Sequence, residues 1–139
     1  MTIKIQALSG ADEKGKLNTE WLLLVNEGDR PFNALGCSIT VSKGSGSRPR
    51  VVTTFKAGLI VQPKEVVRLV TGSSGRSSHG AAPEEEGVRN FHLYLKAPYL
   101  ERSKLVVRLM NRQQEICRTS YDPEKPDAPE SDSQEPAQD

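Results

Sequence analysis

The residues best suited to chemistry lie in one glycine- and serine-rich stretch, TGSSGRSSHG, at residues 71–80. Such a stretch could cradle a phosphate or present a serine nucleophile. A phosphate loop leads into a helix with Lys and Ser/Thr after its last glycine, whereas Gly80 is followed by AAPEEE, whose carboxylates repel phosphate. A nucleophile elbow needs a strand–turn–helix context that is missing here. We therefore interpret the stretch as a surface loop, with an anion contact through Arg76 as the functional alternative.

The histidines, cysteines and acidic residues show no metal-binding pattern. His79 and His92 are the only histidines, and no HxxxH or Cys-x-x-Cys spacing accompanies them. The run at residues 84–86, three glutamates, is more typical of a solvated loop than of a paired-carboxylate or cation site. Cys37 and Cys117 are predicted to be buried thiols, with a disulfide between them as the alternative. We expect no catalytic residue, no metal and no cofactor.

The elements that must position these residues are β-strands. Apolar and β-branched residues alternate with period two or form short apolar runs, and no segment repeats them at helical spacing. Turn residues separate the runs, as in the GDRP of residues 28–31. This pattern is typical of an all-β, immunoglobulin-like antiparallel β-sandwich of about seven to nine strands. Strands are predicted at residues 2–8, 20–25, 37–41, 51–55, 66–70, 91–95, 105–109 and 115–121.

Side-chain alternation also predicts which residues face the core. Residues 20–25 are apolar on both sides, and we assign the odd-numbered face to the core. Arg68 and Arg108 each lie between two apolar neighbours, so alternation directs both arginines to solvent. The predicted core comprises Trp21, Leu23, Val25, Ile39, Phe55, Leu69, Leu93 and Val107.

The charges divide the chain into two parts. Residues 1–120 carry 18 basic and 11 acidic side chains, whereas residues 121–139 carry one lysine and seven acids. The second part contains four prolines and no aliphatic residue larger than alanine, so it cannot bury enough apolar surface to offset its ordering entropy. We predict one folded domain over residues 1–121 and a disordered acidic tail over residues 122–139.

Neither a membrane span nor a signal for export is indicated by the sequence. No apolar stretch approaches the length of about 18 residues that a transmembrane helix requires. The N-terminal residues lack the apolar core of a secretory signal. We expect no membrane insertion and a cytoplasmic location.

Several segments resemble the lamin-tail domain in the order in which that family has them. EWLLLVNEGDRPFNALG, at residues 20–36, is similar to the family's GEYVEIxNxGDxPVDLSGW opening. FKAG at 55–58, LIVQPKE at 59–65 and VTGSSG at 70–75 resemble its Phe-Pro-x-Gly turn, its xxLxPGE segment and its xxTGxG loop. Residues 105–121 resemble its closing hairpin. The resemblance is to a stand-alone, prokaryotic-type member, and it implies an immunoglobulin-like sandwich that recognises partners without catalysis.

Two positions depart from the family pattern. Cys37 stands where the family usually has Trp, and Lys64 stands where it usually has Gly. The first departure implies different core packing near Cys37, with Trp21 filling the space. No rod-like heptad segment precedes the domain, so a filament role is not implied.

Basic residues concentrate between residues 41 and 76, where seven lysines and arginines accompany one acid, Glu65. A solvated sheet face is one interpretation. An anionic partner is the other, whether nucleic acid, an acidic protein surface or the protein's own tail. Aromatic residues make up only 5% of the chain, which argues against specific base recognition. The candidate contacts are Arg48, Arg50, Lys56, Arg68 and Arg76.

Two functions remain open on these grounds. The first is a non-enzymatic protein-interaction module, monomeric or weakly dimeric, in which a partner or a second copy adds a strand at the edge formed by residues 2–8. The alternative is a non-specific binder of anions or nucleic acid whose acidic tail competes for the basic face. A hydrolase ranks last because no set of nucleophile, base and orienting residue can be named.

Overall fold

The chain folds into an all-β sandwich, which confirms the predicted fold class. The computed structural model describes residues 2–11, 15–44, 48–100 and 103–123. Within these ranges, short 3-10 turns occur at Leu17–Thr19 and Ser77–His79. The part of the predicted tail from residue 124 onward lies outside the described residues. The strands are β1 (Ile3–Ser9), β2 (Trp21–Asn26), β3 (Phe32–Asn33), β4 (Cys37–Ser42), β5 (Arg50–Thr54), β6 (Ile60–Val61), β7 (Val66–Val70), β8 (Val88–His92), β9 (Leu105–Asn111) and β10 (Gln114–Tyr121).

Two four-stranded sheets form the layers of the sandwich. Sheet one has the strand order β1-β2-β7-β8, sheet two has the order β10-β9-β4-β5, and β3 pairs with β6 in a small separate ribbon. Every pair is antiparallel except β7 and β8, which run parallel. The expectation of a purely antiparallel sandwich is therefore wrong at this edge, since the connection from residue 71 to 87 returns the chain to the start of β7.

The core lies between the two sheets, and β2 contributes its even-numbered face to it. Leu22 and Leu24 are fully buried and pair across the ladder with Leu69 and Val67 of β7. The odd-numbered residues Trp21 and Leu23 lie on the outer face of sheet one, so the predicted inward face of β2 is wrong. Both faces of the strand are apolar, and alternation could not distinguish between them. Trp21 therefore does not fill space beside Cys37. The predictions for Ile39, Phe55, Leu69 and Val107 are confirmed; Leu93 is partly buried against the core, and Val25 is buried on the outer side.

One predicted strand is displaced along the sequence. Pairing with β7 covers Val88–His92 rather than residues 91–95. Tyr94 has a φ of 58°, which is left-handed and incompatible with a continuing strand. The amides of Leu93 and Leu95 still bond to the carbonyls of Val70 and Thr71, so the residues after β8 remain held against the end of β7.

Among the described residues, three of the four edge strands of the two large sheets carry a β-bulge. The ladder register shifts between Ile5 and Ala7 in β1 and between Glu115 and Cys117 in β10, and the β4–β5 register leaves Val52 unpaired. The fourth edge, β8, places Arg89 against Glu65 and the carbonyl of Ile60. Bulges and charges at an edge interrupt strand addition. Residues 2–8 therefore form an edge as expected, but the edge offers a broken ladder to a partner.

The turn after β2 is organised by Asn26, which is 1% exposed. Its amide nitrogen donates to the carbonyls of Arg30 and Val61, at 2.7 and 3.0 Å, and its amide oxygen accepts from the backbone of Gly28 at 2.9 Å. Its backbone bonds to Glu65 and Lys64. The side chain of Asn26 thus joins the turn to β6, and its backbone adds the start of β7, which explains the polar break after the apolar run of β2.

Candidate functional site

The directions of the strands in sheet two bring the ends of β10 and β4 and the starts of β9 and β5 to one end of the sandwich. Tyr121, where β10 ends, pairs with Leu105 at the start of β9. Next to Leu105, Val106 pairs with Ser42 at the end of β4, and Val41 pairs with Arg50 at the start of β5. We call this the exit end, because the chain leaves the described domain here after Tyr121.

Sheet one is aligned with sheet two at this end. Ser9 pairs with Trp21, which pairs with Val70, so β1 ends, β2 starts and β7 ends at the same level. Gly10 follows β1 and packs so closely on the hydroxyl of Tyr121 that no side chain would fit at that position. The exit end therefore gathers the described parts of four loops, at residues 16–20, 42–44 with 48–50, 71–80, and 94–100 with 103–105.

Exposed cations cluster at the exit end. Lys43 follows β4, Arg48 and Arg50 open β5, and Lys104 precedes β9. Three more cations come from the loops of sheet one. The exposed basic residues of the exit end are Lys16, Lys43, Arg48, Arg50, Arg76, Lys96 and Lys104.

Acidic side chains within the described ranges lie elsewhere, with two exceptions. Glu20 is at the exit end but fully buried, and Asp122 is half-buried where the chain leaves it. The other acids, all exposed except the half-buried Glu65, lie along the sheets or at the opposite end, where β2 ends and β7 and β8 start: Glu27, Asp29, Glu65, Glu84, Glu85, Glu86 and Glu115. The described part of the domain thus has an end dominated by positive charge, which raises the local concentration of anionic ligands.

The predicted contact residues divide between this end and other places. Arg48, Arg50 and Arg76 are exposed at the exit end. Lys56 follows β5 and is exposed at the opposite end. Arg68 lies in the middle of β7 and is 3% exposed, so the expectation that it faces solvent is wrong.

Arg68 is buried because the segment at 81–87 covers the outer face of sheet one. Its guanidinium donates to the carbonyl of Pro83 and to Asn90, both at 3.2 Å, and pairs with Glu85 at 2.9 Å. The guanidinium carbon lies 4.7 Å from the centre of the Trp21 ring. These contacts fix a structural role for Arg68 within the sheet and leave it unable to meet a partner.

Arg108 is buried in the same manner on the outer face of sheet two, which corrects the second expectation of exposure. Its Nε pairs with Glu115 at 3.2 Å, and its Nη1 donates to the hydroxyl of Ser42 at 2.9 Å. Arg118 binds the other carboxylate oxygen of Glu115 at 2.9 Å. In both sheets, alternation correctly placed the arginine on the outer face, but neighbouring groups exclude solvent from that face.

The glycine- and serine-rich loop at 71–80 is anchored from beneath. The amide nitrogen of Asn18 donates to the carbonyls of Ser73 and Gly80, at 3.0 and 2.9 Å. His79 Nδ1 accepts a hydrogen bond from the backbone of Ser73 at 3.1 Å. Asn18, His79 and Leu17 surround Gly72 so closely that any side chain there would clash. These polar groups therefore stabilise the conformation of the loop, which has Arg76 at its exposed tip.

Glu20 supports the same end from the interior. Its carboxylate accepts hydrogen bonds from the hydroxyl of Thr71 at 2.8 Å and from the backbone amides of Tyr99 and Leu100 at 3.2 and 3.1 Å. Burial raises the pKa of Glu20 above its ordinary value, and the three donors oppose that rise. The carboxylate thereby ties β2 and the loop after β7 to the segment that leads toward β9.

An aromatic side chain is also displayed at the exit end. Tyr94 is 60% exposed, and its hydroxyl lies 3.1 Å from that of Ser74. Its ring is tilted against that of His92, with centroids 6.2 Å apart. The amide of Tyr94 and the Nδ1 of His92 both bond to the carbonyl of Gly72. The ring is thus held in place at the same end of the sandwich as the exposed cations.

Within the described ranges, no three histidine, cysteine or acidic side chains converge to hold a metal ion. The glutamates at 84–86 line an open hollow of about 440 Å³ with Val88 and Asn90, and Glu85 there is paired with Arg68. Cys37 and Cys117 are free thiols, and burial raises the pKa of Cys117 to about 12. Among the helices of the described part, none has the length and apolar character needed to cross a bilayer.

Sequence reasoning missed Lys16, Lys96 and Lys104 as members of the basic site. They are far from the cluster at 41–76 in sequence, and only the strand directions bring them to the same end. Successive antiparallel strands run in opposite directions, so the predicted strand order could have shown that Lys104, just before β9, lies at the same end as Lys43, just after β4. The same inference was not possible for Lys96, because the sequence did not show that β8 runs parallel to β7.

Comparison with models of known protein families gives no match, and the sequence matches no curated protein.

Proposed function

We propose that this protein is a non-enzymatic interaction module of lamin-tail type, acting in the cytoplasm, that recognises an acidic protein surface through its exit end. One observation carries the proposal: exposed cations gather at the exit end, while the exposed acids of the described part lie away from it. Like charges clustered at one end repel each other and destabilise the folded state. The clustering is therefore better explained by the binding of a partner than by the needs of the fold. Carboxylate-rich surfaces have the complementary charge.

The lamin-tail assignment is supported by two details of the turn region. Asn26, which matches the Asn of the family's opening segment, is a buried hub for three chain segments. Lys64, which stands where the family has Gly, has a φ of 69°. That backbone conformation favours glycine.

The test uses the full chain and a polyglutamate probe of about twenty residues, with affinity measured by fluorescence anisotropy at low salt. The variant Arg48→Glu/Arg76→Glu/Lys104→Glu reverses three exit-end charges, and Lys56→Glu/Arg112→Glu reverses charges at the opposite end. We expect the first variant to lose tenfold or more in affinity, since each exposed ion pair contributes up to about 1 kcal/mol. The second should change by less than about twofold. Equal losses for both variants, or no binding by the natural chain, would contradict the proposal.

Tyr94 favours a second candidate function, the binding of single-stranded nucleic acid. An exposed aromatic ring fixed beside cations is the element on which an unpaired base stacks. Tyr94→Ala should then weaken binding of oligothymidine severalfold and leave polyglutamate binding unchanged. Binding to oligothymidine should also fall steeply with salt, because phosphate contacts release counterions. If Tyr94→Ala leaves oligothymidine binding unchanged, the basic end binds anions by charge alone.

A further inference from the structure

We propose that the resident occupant of the exit end is the chain's own C-terminal segment, residues 124–139, which covers the exit-end cations and competes with the acidic partner. The inference rests on the proposed function for its biological meaning but on separate observations for the contact itself. These are the place where the chain leaves the domain, the reach of the remaining residues, and the charges on both sides.

The point of departure is at the basic end itself. Tyr121 is buried against Gly10 at the exit end, and it lies on the same level of sheet two as Leu105 and, further across, Arg50. Three inter-strand spacings, about 14 Å in total, separate β10 from β5. Lys104 is closer still, since it directly precedes the residue that pairs with Tyr121.

The remaining chain is long enough to reach every exit-end cation. Residues 124–139 would span roughly 50 Å if fully extended, and a chain of this length that behaved as a random coil would have an r.m.s. end-to-end distance of roughly 20 Å. The distance to be covered is below that r.m.s. value. The tethered segment is therefore present at the exit end at an effective concentration in the millimolar range.

The charge pattern suits this occupant. The segment carries six acids and one lysine, with an acid about every three residues. Its apolar side chains are prolines and alanines, so charge is the main property it offers. The exit end presents cations on loops of both sheets and lacks an exposed acid within the described ranges. The opposite end mixes acids such as Glu27 and Asp29 with cations such as Lys56, so it attracts the segment less strongly.

The arrangement also assigns different roles to the residues that the sequence grouped together. Arg48, Arg50 and Arg76 belong to the surface that the segment covers. Lys56 is at the wrong end, and Arg68 is buried beneath the segment at 81–87. Lys43 and Lys104 belong to the same surface, and their primary amines can be cross-linked to nearby carboxylates.

Zero-length carbodiimide cross-linking of the full chain at low salt tests the contact directly. We expect intramolecular links from carboxylates of residues 124–139 to Lys43, Lys104 and Lys16, identified by mass spectrometry of the monomer band. Lys56 and Lys64, at the opposite end, are internal controls and should be linked at least fivefold less often. Links distributed evenly over both ends, or found only between two copies of the chain, would overturn the proposal.

A second measurement uses a variant whose tail has the same length without its charge. In this variant, Glu124, Glu130 and Glu135 become Gln, and Asp127, Asp132 and Asp139 become Asn. Amide NMR shifts of Lys43, Arg48 and Lys104 should differ between the natural chain and the variant, whereas those of Lys56 and Arg112 should not. The difference should disappear at about 0.5 M salt because exposed charges are screened. Superimposable spectra at low salt would overturn the proposal.

The same variant separates this inference from the proposed function. If the tail competes, the neutral-tail variant should bind polyglutamate three- to tenfold more tightly than the natural chain at low salt. If cross-links and shifts appear but neither protein binds polyglutamate, the intramolecular contact stands and the proposed function fails. If polyglutamate binds at the exit end with equal affinity to both proteins and no shifts appear, the tail contact fails and the proposed function stands.

Discussion

The guanidinium carbon of Arg68 lies 4.7 Å from the centre of the Trp21 ring, on the outer face of sheet one. Trp21 is the protein's single tryptophan. Glu85, the charged partner of Arg68, is 60% exposed, so its carboxylate remains solvated while the arginine is buried. The pair therefore holds the segment at 81–87 against the sheet without burying two charges.

Replacement of Arg68 by lysine should destabilise the protein by about 1–3 kcal/mol. Lysine keeps the charge but loses the planar fork that contacts Pro83, Asn90 and Glu85 together. The change should also alter the fluorescence of Trp21, since the cation is in contact with its ring. Urea unfolding measures the first effect and the emission spectrum of the folded protein measures the second. Arg118→Lys, at a half-exposed ion pair, is the control and should change stability by less than about 0.5 kcal/mol.

Replacement of Asn26 by alanine should cost about 2–4 kcal/mol, because the carbonyls of Arg30 and Val61 and the amide of Gly28 lose their partner together. Asn26→Asp is the sharper variant. Aspartate can still accept from Gly28 but cannot donate to either carbonyl, so we expect it to be as destabilising as alanine. Thermal unfolding of the two variants compares them. A mild effect of Asn26→Asp would show that the acceptor role alone holds the turn.

Glu20 should make stability depend on pH in a direction unusual for a carboxylate. Its pKa is raised in the folded state, so folding binds a proton and the contribution of Glu20 is greatest below its ordinary pKa of 4.5. That contribution falls as pH rises through the raised folded pKa. The stability advantage of the natural chain over Glu20→Gln should therefore shrink as pH increases from about 4.5 to 8.

Urea titrations of both proteins across this range measure the difference, and other titrating groups cancel between them. An advantage that grows with pH would mean that the three hydrogen bonds to the Glu20 carboxylate outweigh its burial.

Replacement of Lys64 by glycine should be neutral or stabilising, by up to about 1 kcal/mol. The left-handed backbone at Lys64 strains any residue with a Cβ. Glycine removes that strain but loses the bond from Lys64 Nζ to the carbonyl of Glu27. Lys56→Gly is the matched control: the backbone there has no positive φ, so we expect a loss of about 0.5–1 kcal/mol. Chemical denaturation decides between them, and equal losses at both positions would refute the strain argument.

Strand existence could be predicted well from this sequence because alternation and turn residues agree along most of the chain. The inward face of β2 could not be predicted, since Trp21 and Leu23 are as apolar as Leu22 and Leu24. Both faces of this strand are covered, one by sheet two and the other by Arg68 and the segment at 81–87. Alternation states which face a residue is on, and burial of that face depends on what packs against it.

The candidate site was predictable only in part for a similar reason. Arg48, Arg50 and Arg76 were identified from local charge density, and the strand directions place all three at the same end of the sandwich. Lys56 and Arg68 share that density but not the position, because strand direction and a covering segment place them elsewhere. Basic residues that are close in the sequence share a surface only if the strand directions place them at the same end. The parallel pairing of β8 could not be predicted from its residues.

The bulges in β1, β5 and β10 affect how the protein behaves when many copies are present. An open sandwich is at risk of templating cross-β stacks, because a straight edge offers a row of unpaired amides to an identical chain. Here the extra residue breaks that row near the middle of β1 and β5 and near the start of β10, and Arg89 would carry a charge into any stack built on β8. We therefore expect the folded state to resist fibril nucleation at high concentration, because its bulged edges cannot template an identical chain.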